Sequence, residues 1–187
     1  MTGPTKAVFL DRDGVINKRR LTLVRKPRNL ELHPGAAEAI ARLTKAGYRV
    51  IVVTNQSGVG YNLIRQADLD AIHELLRETV EAHGGKLDAI YAATHRKGQP
   101  GSDAKPRPAM LERGAERFGL DPSRCWMVGD KWSDVEAGEA FGARTIWVHG
   151  DQFPWDRWRD PVKADFSCEH LAQAVDVILA EDGIQDG

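Results

Sequence analysis

The 187-residue chain is poor in cysteine and in long apolar segments. Cys125 and Cys168 are too few for a disulfide scaffold, and Cys125 opens an apolar run that predicts a small buried side chain. No run approaches the about 18 apolar residues of a membrane-spanning helix, and residues 1–6 lack the apolar stretch of a signal peptide. These absences predict a cytoplasmic protein without a membrane partner.

The chain also lacks an excess of charge of either sign. Its 26 basic and 27 acidic residues give a net charge of −1, which argues against a surface built for nucleic acid, although a local patch could still matter. With 42% hydrophobic residues, a chain of this length can bury a sizeable core. We expect a single domain over residues 1–187 and a monomer, although no residue pattern fixes the oligomeric state.

Strand-like and helix-like segments alternate along the chain. Apolar runs predict strands at 8–10, 49–53, 88–92, 126–128 and 145–148, and helical spacing predicts helices at 36–46, 67–83, 106–118, 133–141 and 171–179. This alternation favours right-handed crossovers between parallel strands. The predicted fold class is α/β, a Rossmann-like doubly wound parallel sheet sandwiched by helices, with no large cap domain.

Two carboxylates follow the first predicted strand. The apolar run ends at Asp11, Asp13 comes two residues later, and Gly14 lets the chain turn sharply. Open α/β sheets bind their ligands at the carboxyl ends of the strands. Asp11 could act as nucleophile and metal ligand, and Asp13 as proton donor and acceptor. A polar turn with two solvated acids would explain the same residues.

The second predicted strand leads into Thr54, Asn55, Gln56, Ser57 and Gly58. Hydroxyl, amide and backbone N–H groups at such a junction can bind a phosphate, although these residue types are also common in ordinary turns.

A lysine stands at the expected start of the third helix. Lys105 precedes Pro106, where its ammonium could hold a phosphoryl group and reduce the repulsion between that group and Asp11. A solvated loop lysine is the simpler interpretation, so the assignment depends on the other motifs.

The fourth predicted strand ends in Gly129, Asp130 and Lys131, with Asp134 one turn later. Asp130 has the same position at the end of the fourth strand as Asp11 has at the end of the first strand. Converging carboxylates repel one another unless a cation lies among them, and Mg²⁺ suits a site built from oxygen atoms. Asp134 could ligate that ion, orient Lys131, or simply be a favourable acid near a helix N-terminus.

The order of these motifs resembles the haloacid dehalogenase-like phosphohydrolases over nearly the whole chain. The resemblance is greatest to the branch with heptose bisphosphate and histidinol phosphatases. It is carried by Asp11-Arg12-Asp13-Gly14-Val15-Ile16-Asn17, Pro34-Gly35, Thr54-Asn55-Gln56-Ser57-Gly58, Lys105-Pro106-Arg107-Pro108, Gly129-Asp130-Lys131 and Ala164-Asp165 before the last helix.

The resemblance implies a Mg²⁺-dependent phosphomonoester phosphatase that forms an aspartyl phosphate on Asp11, with Asp13 as acid and base. It implies that Asp11, the main-chain carbonyl of Asp13 and Asp130 hold the Mg²⁺. The expected phosphate- and substrate-binding residues are Thr54, Asn55, Gln56, Ser57, Lys105 and Lys131.

The expected substrate is a small phosphorylated metabolite, a sugar phosphate or bisphosphate such as D-glycero-D-manno-heptose 1,7-bisphosphate. Alternatives are a nucleotide or nucleic-acid 3′-phosphatase, a histidinol-phosphate phosphatase, and a non-catalytic sugar-phosphate-binding protein. The complete acidic set argues against the last, since binding alone needs no Asp13.

Two departures from that branch concern the loop before Lys105. The branch usually carries a Cys-x-His pair and a later Cys-x-Cys pair, whereas this chain keeps only His95 of the four ligands. A structural zinc needs four protein ligands, so we expect none here. Ala104 replaces a substrate-contacting arginine of the branch, for which Arg107 or Arg96 could substitute.

Two further segments have open interpretations. Six basic residues without an intervening acid, Lys18, Arg19, Arg20, Arg25, Lys26 and Arg28, could rim the site or form a solvated hairpin. Trp155 and Trp158 could form a lid or a partner contact, with core packing of one ring as the alternative.

Overall fold

A computed structural model describes residues 5–151 and 163–184, which form a parallel sheet covered by helices. Its six strands are β1 Thr5–Leu10, β2 Arg49–Asn55, β3 Ala89–Ala93, β4 Leu120–Gly129, β5 Arg144–Val148 and β6 Phe166–Cys168. They lie in the order β3-β2-β1-β4-β5-β6, and every neighbouring pair is parallel. The predicted fold class is confirmed. Trp155 and Trp158 lie outside the described residues.

The helices follow the predicted order with small changes at their ends. They are α1 Ala36–Lys45, α2 Gln66–Ala82, α3 Ala109–Phe118, α4 Trp132–Phe141 and α5 Leu171–Glu181. The helix expected from Pro106 begins only at Ala109, because Lys105 and Arg107 each precede a proline and are thereby disfavoured in the α conformation. None of the described helices is both long and apolar enough to cross a membrane.

Alternate residues of β1 pack into two separate apolar layers. Val8 and Leu10 face the layer completed by α1, α2 and α5, whereas Ala7 and Phe9 face the layer completed by α3 and α4. All four side chains are fully buried. Burial on both faces explains why the strand reads as a continuous apolar run rather than an alternating one.

The central strands of the sheet bring distant parts of the sequence to one edge. Because β1 pairs in parallel with both β2 and β4, the carboxyl ends of these three strands are neighbours. Asp11, Thr54 and Asp130 stand at those ends.

The connection between β1 and α1 carries no further domain. Within residues 11–35 it holds only a 3₁₀ helix, Pro27–Asn29, and isolated bridges that pair Asn17 with Asp13 and Leu32. Residues 11–35, which follow the carboxyl end of β1, therefore consist of loop and one short 3₁₀ helix. Cys125 is fully buried, as expected, and both cysteines are free.

Candidate active site and metal centre

Three buried carboxylates converge at the carboxyl edge of the sheet. Asp11 directly follows β1 and donates its backbone N–H to Val128 of β4 at 2.9 Å. One carboxylate oxygen each from Asp11, Asp130 and Asp134 can be chosen so that all three lie within 4.8 Å of one another. Each residue is at most 3% exposed. The sequence motifs after the first and fourth strands therefore form one site.

Gly14 makes this convergence possible. Its φ of +97° is a conformation that residues with a side chain rarely adopt, and a Cβ there would lie 2.1 Å from Oδ2 of Asp130. Both the backbone conformation and the available space thus require glycine after Asp13.

Lys105 lies between two of the carboxylates. Its ammonium donates to Oδ1 of Asp11 at 2.9 Å and to the carbonyl of Val53 at 2.6 Å, and it forms an ion pair with Asp134 at 2.6 Å. Burial lowers the pKa of Lys105, but the charges of Asp11 and Asp134 raise it by more, so the amine is protonated. The loop lysine predicted to lessen repulsion around Asp11 is therefore a buried cation in contact with it.

Asp134 contacts two lysines, Lys105 and Lys131. Besides its ion pair with Lys105, it accepts the backbone N–H of Lys131 on Oδ2 at 3.0 Å. Of the uses left open for it, the contacts show a helix-terminal acid that orients Lys105 through its side chain and Lys131 through its backbone. Direct metal ligation by Asp134 stays a prediction, since its carboxylate oxygens have lone pairs beyond those used in these contacts.

Asp130 has the environment expected of a metal ligand. Neither of its oxygens accepts a hydrogen bond within the described residues, and a guanidinium nitrogen of Arg19 lies 3.4 Å from Oδ2. Burial raises the pKa of Asp130, and although Lys131 lowers it, Asp11 and Asp134 raise it further, so the net value is well above the ordinary one. A buried carboxylate without donors is costly unless a cation compensates it. The hard oxygen donors gathered here fit a divalent cation.

Asp13 has the opposite environment. Arg12 donates to both of its oxygens at 3.0 and 2.7 Å, Asn17 donates to Oδ1 at 2.9 Å, and Gln56 donates to Oδ2 at 2.8 Å. Burial raises the pKa of Asp13, but the charge of Arg12 and these hydrogen bonds lower it by more. Asp13 is therefore an oriented carboxylate in the substrate-free protein.

The two amides at the end of β2 hold other site residues in place. The Asn55 side chain accepts from the backbone N–H of Lys105 and donates to its carbonyl, both at 3.0 Å. Gln56 donates to Thr54 Oγ1 at 2.8 Å as well as to Asp13. The amide donors expected to bind phosphate thus contact Asp13, Thr54 and Lys105 in this structure. Direct phosphate binding by either amide stays a prediction.

Two cavities open onto these side chains. One of about 20 Å³ has room for roughly one water-sized group. It is lined by Asp11, Asp13, Thr54, Asn55, Lys105, Lys131, Ser133 and Asp134. A second, of about 140 Å³, starts at Asp13 and Lys131 and includes Ser57. Burial lowers the pKa of Lys131, but Asp11, Asp130 and Asp134 raise it by more, so both cavities adjoin a second cation.

Sequence reasoning missed the residues that support Asp13 from behind. Arg12 is 1% exposed, and its Nη1 lies 3.2 Å from Nε2 of His73. Burial, aided by the charge of Arg12, lowers the pKa of His73 to about 4. A neutral imidazole can accept the Arg12 N–H on Nε2. The position of Arg12 between two site acids is a usable signal, whereas nothing in the sequence marks His73, 61 residues away.

We expect His73→Gln to change the pH dependence of stability. In the wild type the unfolded state, with an imidazole pKa of about 6.5, binds the proton more readily than the folded state, so stability falls as pH drops from about 6.5 to 4. Glutamine does not titrate. Relative to the variant, the wild type should lose about 2–3 kcal/mol of unfolding free energy between pH 7 and 4.5. Urea denaturation at both pH values measures this, and a pH-independent difference would contradict it.

Lys105→Met should strongly destabilise the metal-free protein. The substitution leaves Asp11 and Asp134 buried without their shared cation, at a cost of about 3–5 kcal/mol. Lys18→Met is the matched control, because it removes an exposed ion pair with Glu31 and should cost less than about 1 kcal/mol. Chemical denaturation in EDTA compares the two variants. Similar losses of unfolding free energy in both variants would show that the buried ion pairs of Lys105 do not stabilise the protein more than an exposed pair does.

The loop before Lys105 is tied by arginine side chains to backbone carbonyls of neighbouring segments. Arg96 donates through Nε to the carbonyl of Gly60 at 2.8 Å, and Arg107 donates to the carbonyl of Ser102 at 2.8 Å. His95 is exposed. Neither Arg96 nor Arg107 lines the two cavities above, and the substitution of either one for the missing arginine at Ala104 stays a prediction.

The parallel α/β sheet carries an Asp-x-Asp pair, a buried lysine and further acids at adjoining strand ends. This arrangement is typical of a hydrolase that acts on phosphoryl groups. Residues 5–142 match the family model of haloacid dehalogenase-like hydrolases, and the chain belongs to this family.

Curated relatives carry the name of one phosphatase. D-glycero-beta-D-manno-heptose-1,7-bisphosphate 7-phosphatase of Pseudomonas putida is 38% identical over 143 residues, covering 76% of this chain and 82% of the relative. D-glycero-D-manno-heptose-1,7-bisphosphate 7-phosphatase of Thermosynechococcus vestitus is 33% identical over 189 residues, covering 94% and 96%.

A solved structure of a phosphatase with a corresponding name is similar to this chain over nearly its whole length. D,D-heptose 1.7-bisphosphate phosphatase from B. bronchiseptica, complexed with magnesium and phosphate, superimposes with a TM-score of 0.88 at 32% identity, covering 95% of this chain and 99% of that one. The chain is thus a phosphatase of the haloacid dehalogenase-like family, whose phosphatases use a divalent metal.

Proposed function

We propose that the protein is a Mg²⁺-dependent phosphatase that acts on D-glycero-D-manno-heptose 1,7-bisphosphate through an aspartyl phosphate on Asp11. The observation that carries the proposal is the meeting of Asp11, Asp13 and Lys105 around one small cavity, with a carboxylate oxygen of Asp130 within 4.8 Å of one of Asp11. The substrate is that named for relatives such as the Thermosynechococcus vestitus phosphatase, which covers 94% of the chain.

The metal would be held by Asp11, Asp130 and the main-chain carbonyl of Asp13. When bound, Mg²⁺ neutralises the carboxylates and polarises the oxygens of the phosphoryl group. Asp130 is the clearest part of this assignment, because its oxygens lack hydrogen-bond donors within residues 5–151 and 163–184.

In the first step, Thr54, Lys105 and Lys131 bind the phosphoryl oxygens and bring phosphorus to Asp11. A carboxylate oxygen of Asp11 bonds to phosphorus while the bond from phosphorus to the sugar oxygen breaks. Asp13 gives its proton to that oxygen. The low pKa of Asp13 belongs to the substrate-free site, and a bound phosphate dianion raises it because like charges disfavour ionisation.

In the second step, a water molecule attacks the phosphorus of the aspartyl phosphate. Asp13, now a carboxylate, takes the proton of that water, and the departure of inorganic phosphate restores Asp11. The donors from Arg12, Asn17 and Gln56 stabilise the carboxylate that this step requires. Asp13 therefore serves as acid and then base without changing position.

A panel of phosphate esters assayed with Mg²⁺ and with EDTA tests the proposal. We expect the heptose bisphosphate to have the highest kcat/KM, with no turnover in EDTA. Faster release from a 3′-phosphorylated oligonucleotide, weakening steeply with salt, would favour the nucleic-acid alternative. Faster release from histidinol phosphate would favour the other phosphatase. Binding of sugar phosphates without turnover of any ester would overturn catalysis itself.

We also propose that the protein works in the cytoplasm. Cys125 and Cys168 are free and buried, as is usual where thiols are kept reduced. Fractionation of the source cells would test this, and recovery outside the cytoplasm would contradict it.

A further inference from the structure

The cavity of about 140 Å³ extends well beyond the catalytic residues. From Asp13 and Lys131 it continues to two arginines of the basic segment and to an apolar wall. We call this outer part the second pocket, and it is lined by Arg19, Arg20, Leu23, Val24, Ser57, Gly58 and Ile64. A ligand group at Asp13 and another in the second pocket would share one continuous space.

A strained turn places Arg20 at this cavity. Leu23 donates its backbone N–H to the carbonyl of Arg20 at 3.2 Å, and its own φ is +65°, which is unusual for leucine. The Leu23 side chain packs beside Gly58, where a Cβ would lie 3.1 Å from Leu23 Cδ1. The turn thus folds Arg20 and Leu23 onto the loop after β2. Backbone strain of this kind is commonly retained where a binding site needs it.

Three of the other four basic residues of the segment have different neighbours. Lys18 pairs with Glu31, Lys26 pairs with Asp68, and Arg25 donates to the carbonyl of Thr22 in its own loop. The interpretation as a solvated hairpin suits these three. It does not suit the two arginines that line the cavity.

The two arginines differ in their contacts. Arg19 lies 3.4 Å from Asp130 and is mostly buried, so its charge acts on the metal centre as well as on the second pocket. Arg20 is exposed, and its guanidinium donates to the neutral carbonyl of Asn29 at 3.2 Å. That contact does not neutralise the guanidinium. An arginine has five donors in a planar fork, which suits a phosphate.

We propose that the second pocket binds a second phosphate carried by the leaving group, and that Arg20 determines the preference for bisphosphates. This inference rests on the proposed function and deepens it. The reacting phosphoryl group would lie at Asp11, while the second phosphate would lie against Arg20 with the Ser57 hydroxyl beside it. Arg19, between the two positions, adds positive charge to the same space.

Arg20→Gln tests this through a ratio. The quantity is kcat/KM for the heptose 1,7-bisphosphate divided by kcat/KM for heptose 7-phosphate, which lacks the second phosphate. Loss of a charge-assisted contact should lower that ratio by about 10- to 100-fold. Arg25→Gln is the matched control, because it removes the same charge from the same segment outside the cavity. It should change the ratio by less than about threefold.

A second measurement avoids dependence on turnover of the heptose. Inhibition of p-nitrophenyl phosphate hydrolysis by fructose 1,6-bisphosphate, compared with fructose 6-phosphate, should show the same loss of preference in Arg20→Gln alone. An unchanged preference, or an equal loss in Arg25→Gln, would overturn the second pocket and leave the phosphatase intact. Absence of Mg²⁺-dependent turnover of every ester by the wild type would instead overturn the proposed function.

Discussion

Asp11→Asn is expected to abolish turnover of p-nitrophenyl phosphate in the presence of Mg²⁺, a loss on the order of 10⁶-fold. The amide has no anionic oxygen to attack phosphorus and is a poor ligand for a hard cation. The fold should survive, because asparagine has nearly the same volume and its amide oxygen can still accept from Lys105. Steady-state assays, with circular dichroism to confirm folding, measure the effect.

Asp13→Asn provides the comparison that separates nucleophile from acid and base. Its loss should be smaller, about 10²–10⁴-fold. With a good leaving group such as p-nitrophenolate, phosphorylation of Asp11 continues while hydrolysis of the aspartyl phosphate slows. Intact mass spectrometry should then detect a phosphorylated form in Asp13→Asn and none in Asp11→Asn. Normal Mg²⁺-dependent activity in Asp11→Asn would show that another residue is the nucleophile.

Asp130→Asn is expected to separate metal binding from folding. In EDTA at pH 7 the variant should be at least as stable as the wild type, because it removes a buried charge without hydrogen-bond donors. Saturating Mg²⁺, about 100 times its Kd, should stabilise the wild type by about 2.7 kcal/mol and leave the variant unchanged. Thermal unfolding with and without Mg²⁺ measures both effects.

The raised pKa of Asp130 also predicts how the stability of the metal-free protein changes with pH. The pKa of Asp130 is raised in the folded metal-free protein, so the folded state holds the proton more tightly than the unfolded one. Stability in EDTA should therefore fall as pH rises from about 4 through the folded pKa, and Asp130→Asn should lack this part of the decline. Asp176→Asn, at an exposed ion pair with Arg42, should keep the full response to Mg²⁺. Stabilisation of Asp130→Asn by Mg²⁺ would contradict the assignment.

The sequence was most informative where a buried strand stops at a polar residue. The apolar run before Asp11 and the one before Asp130 each predict a strand end, and parallel pairing then requires the two acids to meet. The position of Lys105 was predicted less directly, through the other motifs and the family resemblance, because this residue does not stand at a strand end. Local patterns and a simple topology rule therefore sufficed for the fold class and for the meeting of Asp11 with Asp130, whereas the roles of the other site residues were expected from the family resemblance.

Other features depend on contacts that no local pattern records. The strand Phe166–Cys168 was missed because three residues at the sheet edge are too few to show a period. Arg12 would ordinarily be assigned to the surface, yet it is buried through partners at Asp13 and His73. The amide of Asn55 suggested a ligand contact, and only the folded chain shows it closing two hydrogen bonds with Lys105. Such roles are set by side-chain packing rather than by residue type.

The glycine at position 14 matters for deciding whether a distant homologue is an active enzyme. A homologue could keep every acid and the lysine, yet alanine at this turn would push against Asp130 and separate the two halves of the centre. Such a chain would look complete by its ionisable residues and still be inert. For annotating divergent members, the glycine is as diagnostic of an active enzyme as the aspartates are.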